Sequence, residues 1–262
     1  MRVTYRRANN EDYWTSRWAV IPPDNPMENR DVYPLKYAEM TVEAKDGPIL
    51  EAGCGAGRIL RFYHQNGYDI VGIDFIKLAV DKLRQVDPTL KVEVADIRKL
   101  HFGDKAFKYV LAFGLYHNLE DGLEDAVRET YRVLRKGGRV CASFRADNIQ
   151  TRLTDWLAER RERKSSRIGE TRAFHKMNLT RREYESLFVD AGFTVEAVYP
   201  VENMPILYKF AAFRSLEHKV FDEHKARKEG YRLSWFGQFL QDGLMKLLPD
   251  QFCNIYVLIA QK

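Results

Sequence analysis

Long apolar runs are missing from this chain of 262 residues. The longest, "YVLAFGLY" (109–116) and "IYVLIA" (255–260), fall far short of the ~20 residues that a helix needs to span a bilayer. Neither a membrane-spanning helix nor a membrane partner is expected. Cysteine is scarce: Cys54, Cys141 and Cys253 form no C-x-x-C pair and no metal-ligand spacing. That argues against a disulfide framework and against a zinc site, and no metal is expected. The N-terminal "MRVTYRRANNEDYW" is charged and lacks the apolar centre of a secretory signal, which predicts the cytoplasm. Internal repeats and low-complexity tracts are absent. A net charge of +5 is mild for this length, and acids interleave with the bases, so the balance falls short of a strong nucleic-acid signature.

What is present is material for a core: 45% of residues are hydrophobic and 13% aromatic. Short apolar strands alternate with helical patterns over 35–146, the layout of a parallel sheet covered on both faces. The strands read as "PILEA" (48–52), "DIVGID" (69–74), "KVEVA" (91–95), "YVLAFG" (109–114) and "GRVCASF" (138–144). Between the last two, 124–138 puts Val127, Tyr131 and Leu134 on one helical stripe that ends in a glycine pair. Residues 147–178 read as a helical, charged insertion. Thr180 and Glu183 form a capping box opening a helix over 181–192. Strands follow at 193–201 and 252–262, separated by about fifty mostly helical residues, too many for a simple connection. A single α/β domain over 1–262 is expected, with helical insertions at 147–180 and 200–250 as a cap and 1–30 as an N-terminal lid.

The stretch "ILEAGCGAGRIL" (49–60) runs a strand into a glycine turn and then a helix. Such a turn offers free backbone N–H groups and close access to the main chain. A redox-dinucleotide fingerprint starting at Gly53 would need glycine where Arg58 stands, and the G-K-[ST] of a phosphate loop is absent. The pattern that fits is acid-x-G-x-G-x-G, Glu51 through Gly57. Here the sequence resembles the class I S-adenosylmethionine-dependent methyltransferases, and the likeness continues in order through "VGIDF" (71–75), "VADI" (94–97), "LAFGLYHNLED" (111–121) and "VLRKGGRV" (133–140). The resemblance implies a doubly wound, seven-stranded, mostly parallel Rossmann-like sheet with helical cap insertions. S-adenosylmethionine is the implied cofactor, held by Glu51, Gly53, Cys54, Gly55, Gly57, Asp74, Phe75, Asp96, Ile97 and Phe113. Asp74 would take the two ribose hydroxyls, Asp96 the adenine amino group, and Ile97 would line the ring. Glu51 near the loop suits the ammonium of the methionine moiety.

The resemblance leaves the acceptor open. The N-P-P-Y type of sequence that amino-methylating relatives carry after the fourth strand is replaced here by "FGLYHN" (113–118). His117 opens onto the methyl position, as a general base for a hydroxyl or as packing under the cofactor. Acceptor candidates are Tyr116, which stands in place of the usual first histidine of that turn, His175, Glu202 and Asn203; a wall residue, a solvated loop and a turn are their plainer meanings. In "YWTSRW" (13–18), Trp18 and Trp14 suit a lid or docking on the sheet edge, and Trp18 joins the acceptor candidates. The basic run over 159–172 contains Arg160, Arg161, Arg163, Lys164, Arg167 and Arg172, and reads as an RNA contact or as a solvated helix face. The expected activity is methyl transfer to oxygen or nitrogen of a small molecule, such as a sugar or secondary metabolite. The alternatives are a tRNA base methyltransferase and a non-catalytic S-adenosylmethionine-binding regulatory partner, the latter using the apolar stripe of 233–249 where ordinary core packing is the simpler role.

Overall fold

Strands that are apolar on both faces need helices on both faces, and the alternation along the chain supplies them. The computed structural model describes residues 1–7, 9–23, 25–165, 172–220 and 231–262, with the side chains of 161–165 left aside. The main sheet consists of β2 (Ile49–Ala52), β3 (Ile70–Asp74), β4 (Val92–Val94), β5 (Phe107–Ala112), β6 (Leu134–Arg145), β8 (Thr194–Val201) and β9 (Ile255–Gln261), in the order β4-β3-β2-β5-β6-β9-β8. The pairings of β2 with β3, β2 with β5, β3 with β4 and β5 with β6 are all parallel. The order reverses at β2, whose neighbours are β3 on one side and β5 on the other. In open α/β sheets the crevice beyond the strand ends at such a reversal is where ligands bind.

Two segments differ from the sequence reading. Residues 147–178 are not helical throughout, because their last part forms β7 (Ala173–Asn178), antiparallel to β1 (Arg2–Arg6) in a separate two-stranded sheet. "AFHKMN" is too short to display an alternation, and its partner comes from the distant N-terminus, so nothing local marks it as a strand. Helix α5 (Leu123–Val133) ends before Leu134, and the glycine pair expected at its end lies inside β6 instead. By contrast, α7 (Arg181–Asp190) opens on the expected reciprocal capping box between Thr180 and Glu183.

Contacts divide the chain into two compact units: Met1–Arg145, Gly169–Tyr199 and Val257–Lys262 form one, and Ala146–Ile168 and Pro200–Tyr256 the other. In the second, the Asn148 side-chain amide at the start of α6 (Ile149–Ser165) donates to the carbonyls of Asp250 and Cys253 at 2.8 and 2.7 Å. This ties α6 to the short helix α9 (Pro249–Phe252). The long helix of the same unit, α8 (Trp235–Leu247), carries the apolar stripe of the sequence. That stripe is not core packing: Trp235, Phe236, Phe239 and Leu247 are exposed.

In the first unit, α1 (Asn10–Val20) has no buried residue, and its C-terminal end is tied down by a lysine. Lys82, on α4 (Lys77–Val86), donates from Nζ to the carbonyls of Trp18, Ala19 and Ile21 at 2.6, 2.9 and 3.2 Å. A cation on otherwise unsatisfied carbonyls at a helix C-terminus is stabilising. Replacing Lys82 by methionine is expected to speed hydrogen exchange across α1 about tenfold while leaving β2–β5 unchanged. Unchanged exchange in α1 would show that the helix is held by other contacts.

Candidate active site

The glycine turn lies at the reversal point because β2 ends there. The N–H groups of Gly53 and Cys54 donate to the carbonyl of Ile73 at 2.8 and 2.9 Å, so the turn is sewn to the end of β3. Gly55 and Gly57 have φ of +51° and +80°, a conformation that side chains disfavour. A Cβ on Gly55 would lie 2.7 Å from the Trp18 ring, and one on Gly57 would run into Leu83. Trp18, expected among the acceptor residues, is therefore placed against the donor turn. Gly57 is the N-cap of α3 (Arg58–Gln65), whose first amides face the turn.

Asp74 closes the other side. Its Oδ2 accepts the Gly55 N–H at 2.8 Å and its Oδ1 the Ile76 N–H at 2.9 Å. Burial pushes its carboxyl upward, opposed by those two amides. Each oxygen keeps a second acceptor position, which suits a pair of ribose hydroxyls. Glu51 is 4% exposed and its Oε2 is without a hydrogen-bond partner. Burial pushes its carboxyl up to about 8, with the Leu60 amide and the Arg58 charge pulling back. An unpaired buried carboxyl oxygen beside a glycine turn is a receptor for a cationic donor such as an ammonium. Cys54 is buried beside it, and burial raises its thiol well above the ordinary range.

Phe75, directly after Asp74, is 53% exposed, available to the face of a ring, while Ile97 is buried. Asp96 is held by Arg98, whose backbone N–H and guanidinium both donate to it, the latter at 2.7 Å. Partial burial acts upward on Asp96, but these Arg98 bonds hold it below the usual carboxylate range. Arg98 was not singled out from the sequence; its position two residues after an expected site acid is the signal that was there to find.

At the end of β5, Phe113 packs edge-on against Tyr33 at 5.7 Å. The Tyr33 hydroxyl is hydrogen-bonded to Ser143 Oγ at 2.9 Å, and that oxygen accepts the Gly114 N–H at 2.8 Å. Ser143 was also missed, although a lone hydroxyl in the apolar "VCASF" marks it. Tyr116 is fully buried, with its hydroxyl on Thr130 Oγ1 at 2.6 Å and its ring against Phe188. This corrects its expected acceptor role. A tyrosine in that turn has the length to reach into the core, where Thr130 satisfies it. His117, next in the turn, packs on Phe144, and its buried Nδ1 lacks a hydrogen-bond partner. Burial, followed by the charges of Arg145, Lys176 and His175, holds His117 well below the usual imidazole range, so it is neutral at pH 7. His175 lies on β7 with its Nδ1 3.5 Å from Thr4 Oγ1.

Glu202 and Asn203 belong to the second unit. Burial lifts Glu202 to about 7, and the Gln241 amide donates to it at 3.2 Å. The Asn203 N–H donates to Asn254 Oδ1 at 2.7 Å. Of the basic run, Arg160 lies over the Trp156 ring at 5.3 Å. The side chains of Arg161, Arg163, Lys164 and Arg167 lie outside the described residues.

The reversed sheet order, the glycine turn and the acid after β3 are arranged as in the class I S-adenosylmethionine-dependent methyltransferase fold. Residues 50–142 match the family model described as "Methyltransferase domain". The chain is 31% identical over 111 residues to a malonyl-[acyl-carrier protein] O-methyltransferase of Enterobacter lignolyticus, covering 42% of this chain and 44% of that one. It is 26% identical over 197 residues to a probable S-adenosylmethionine-dependent methyltransferase of Mycobacterium tuberculosis, covering 75% of this chain and 61% of that one. The chain thus spans only part of the length of these relatives. Its fold matches that of a S-adenosylmethionine-dependent methyltransferase from Methanosarcina mazei with a TM-score of 0.57 at 19% identity, over 88% of this chain and 98% of that one. S-adenosylmethionine is the cofactor of this class, and the Glu51 and Asp74 carboxyls fit its ammonium and ribose.

Glu51 also makes stability depend on pH. Unfolded, it ionises near the ordinary value of ~4.3. Folded, it keeps its proton up to about 8. The folded state therefore holds more protons across that window, and its contribution to stability is lost as pH rises through it. Glu51→Gln is expected to reduce the fall in unfolding free energy between pH 5 and 8 by about 1–3 kcal/mol, measured by denaturant titration. An identical fall in both proteins would contradict a buried, neutral Glu51.

Proposed function

We propose that this chain transfers a methyl group from S-adenosylmethionine to an oxygen or nitrogen of a small-molecule acceptor, a sugar or secondary metabolite being the expected kind. The observation that carries the reading is the pairing of two buried carboxyls around the glycine turn with a neutral histidine at the end of β5. When bound, the cofactor supplies an electrophilic methyl on a sulfonium. Asp74 would hold the ribose, Glu51 the ammonium, and Phe75 and Ile97 the adenine. Meeting a cation, Glu51 would give up its proton, because the new charge offsets the burial that holds it neutral. Trp18 would cover the turn and exclude water from it. Methyl transfer is an in-line displacement, so holding the acceptor is most of the catalysis, and a base is needed only for an acceptor that must lose a proton. His117 is suited to that task, with an unpaired ring nitrogen and no charge near neutrality. An O-methyl acceptor is supported by the name of the Enterobacter relative, which methylates an oxygen.

Incubating the protein with methyl-labelled S-adenosylmethionine and cell extract, then separating small molecules, RNA and protein, tests the acceptor class. Label in the small-molecule fraction is expected. Label in RNA would favour the tRNA alternative, and no label despite cofactor binding would favour the regulatory one. With an acceptor in hand, His117→Asn is expected to lower kcat ~100-fold with cofactor affinity unchanged. The wild-type rate should show no acid limb near pH ~6.5, since His117 is already neutral there. A variant as fast as the wild type would end the base assignment.

A further inference from the structure

Helix α8 is built inside out. Its buried positions are Gly237 and Gln241, while Trp235, Phe239 and Leu247 are 83%, 69% and 79% exposed, and Phe236 and Leu248 about half exposed. The polar residue does the anchoring: fully buried, the Gln241 amide donates to Glu202 at 3.2 Å and accepts the Leu207 N–H at 3.4 Å. Gly237 lets the helix lie close, since a Cβ there would stand 2.7 Å from the Phe213 carbonyl. Phe213 in turn stacks on Phe236 at 6.4 Å. The helix is therefore fixed by its own unit, in which Phe210, Leu216 and Val220 are exposed as well. Large apolar side chains left exposed together on one helix mark an interaction site.

Charge and shape decide the occupant. Among the described residues from 206 to 248 there are five bases and two acids; Arg232 pairs with Glu217 at 3.7 Å and Arg214 donates to the carbonyls of Tyr208, Lys209 and Lys219, while Lys209, Lys219 and Lys246 are exposed. A second copy would bring the same local excess of base to this face, whereas an anionic surface complements it. The apolar side chains protrude, so a folded partner would need a matching pocket for each. A fluid acyl layer needs none. Tryptophan, phenylalanine and leucine flanked by lysine and arginine are the composition that settles at the headgroup boundary. With 13 residues, α8 is about 20 Å long and lies along such a surface instead of crossing it.

We infer that the exposed apolar face of α8 docks this protein peripherally on an anionic lipid surface, with the neighbouring lysines and arginines at the headgroups. A membrane partner was not expected from the sequence, where core packing is the simpler reading of the stripe. The docking is independent of the proposed chemistry.

The test is co-sedimentation of the full chain with phosphatidylcholine vesicles, with and without phosphatidylglycerol, for the wild type and the triple variant Trp235→Ser, Phe239→Ser, Leu247→Ser. The wild type should bind the mixed vesicles at least tenfold more tightly than pure phosphatidylcholine, and less tightly at high salt. The variant should lose tenfold or more on mixed vesicles with an unchanged melting temperature, because all three side chains already face solvent. Failure of the wild type to sediment with mixed vesicles would overturn the inference, as would a variant that binds equally well. A wild-type dimer that becomes a monomer in the variant, seen by sedimentation velocity without vesicles, would assign the face to a second copy and also overturn it.

Discussion

One buried carboxylate ties together the two loops on which the site depends. Asp74 accepts the Gly55 N–H with one oxygen and the Ile76 N–H with the other. The glycine turn and the start of α4 are thereby fixed to the end of β3, at the strand where the sheet order reverses. The turn can be held this tightly only because Gly55 and Gly57 accept positive φ in a space already filled by Trp18 and Leu83. Without Asp74 the turn would keep its strand bonds to Ile73 but lose the partner that orients its central amide. The same carboxylate retains acceptor capacity for a ligand, so structural and binding roles share one group.

Around it, charge is managed by burial. Glu51 is neutral in the folded chain because its surroundings offer too little compensation for a charge. His117 is neutral for the same reason, reinforced by nearby cations. A neutral buried acid is well matched to a cationic ligand, whose charge would offset the burial that keeps the proton on the acid. The second unit follows a different logic, burying an amide on α8 and leaving its aromatics outside.

Most of the sheet was legible because its strands are apolar on both faces and separated by helical patterns of the right length. The glycine turn was legible because acid and glycines are contiguous, so its geometry is written locally. Where Tyr116 and Trp18 pack was not legible for a common reason: an aromatic near a turn can face inward or outward, and only tertiary partners, Thr130 in one case and Gly55 in the other, decide which. Strand β7 was missed because its pairing is with the far N-terminus. Arg98 and Ser143 act by touching site groups and carry no motif of their own. On α8 the periodicity was plain, but it could not tell which side of the stripe met the protein, and the buried polar Gln241 is what reversed it.

The central claim is that the glycine turn and Asp74 form a site for S-adenosylmethionine. Calorimetric titration of S-adenosylmethionine and S-adenosylhomocysteine, beside NAD, into wild type and Asp74→Ala tests it directly. The account predicts that both methionine-derived ligands bind, that NAD does not, and that the substitution weakens binding about tenfold or more, ~1.4 kcal/mol. Absence of binding by either ligand, or equal binding by the variant, would contradict it.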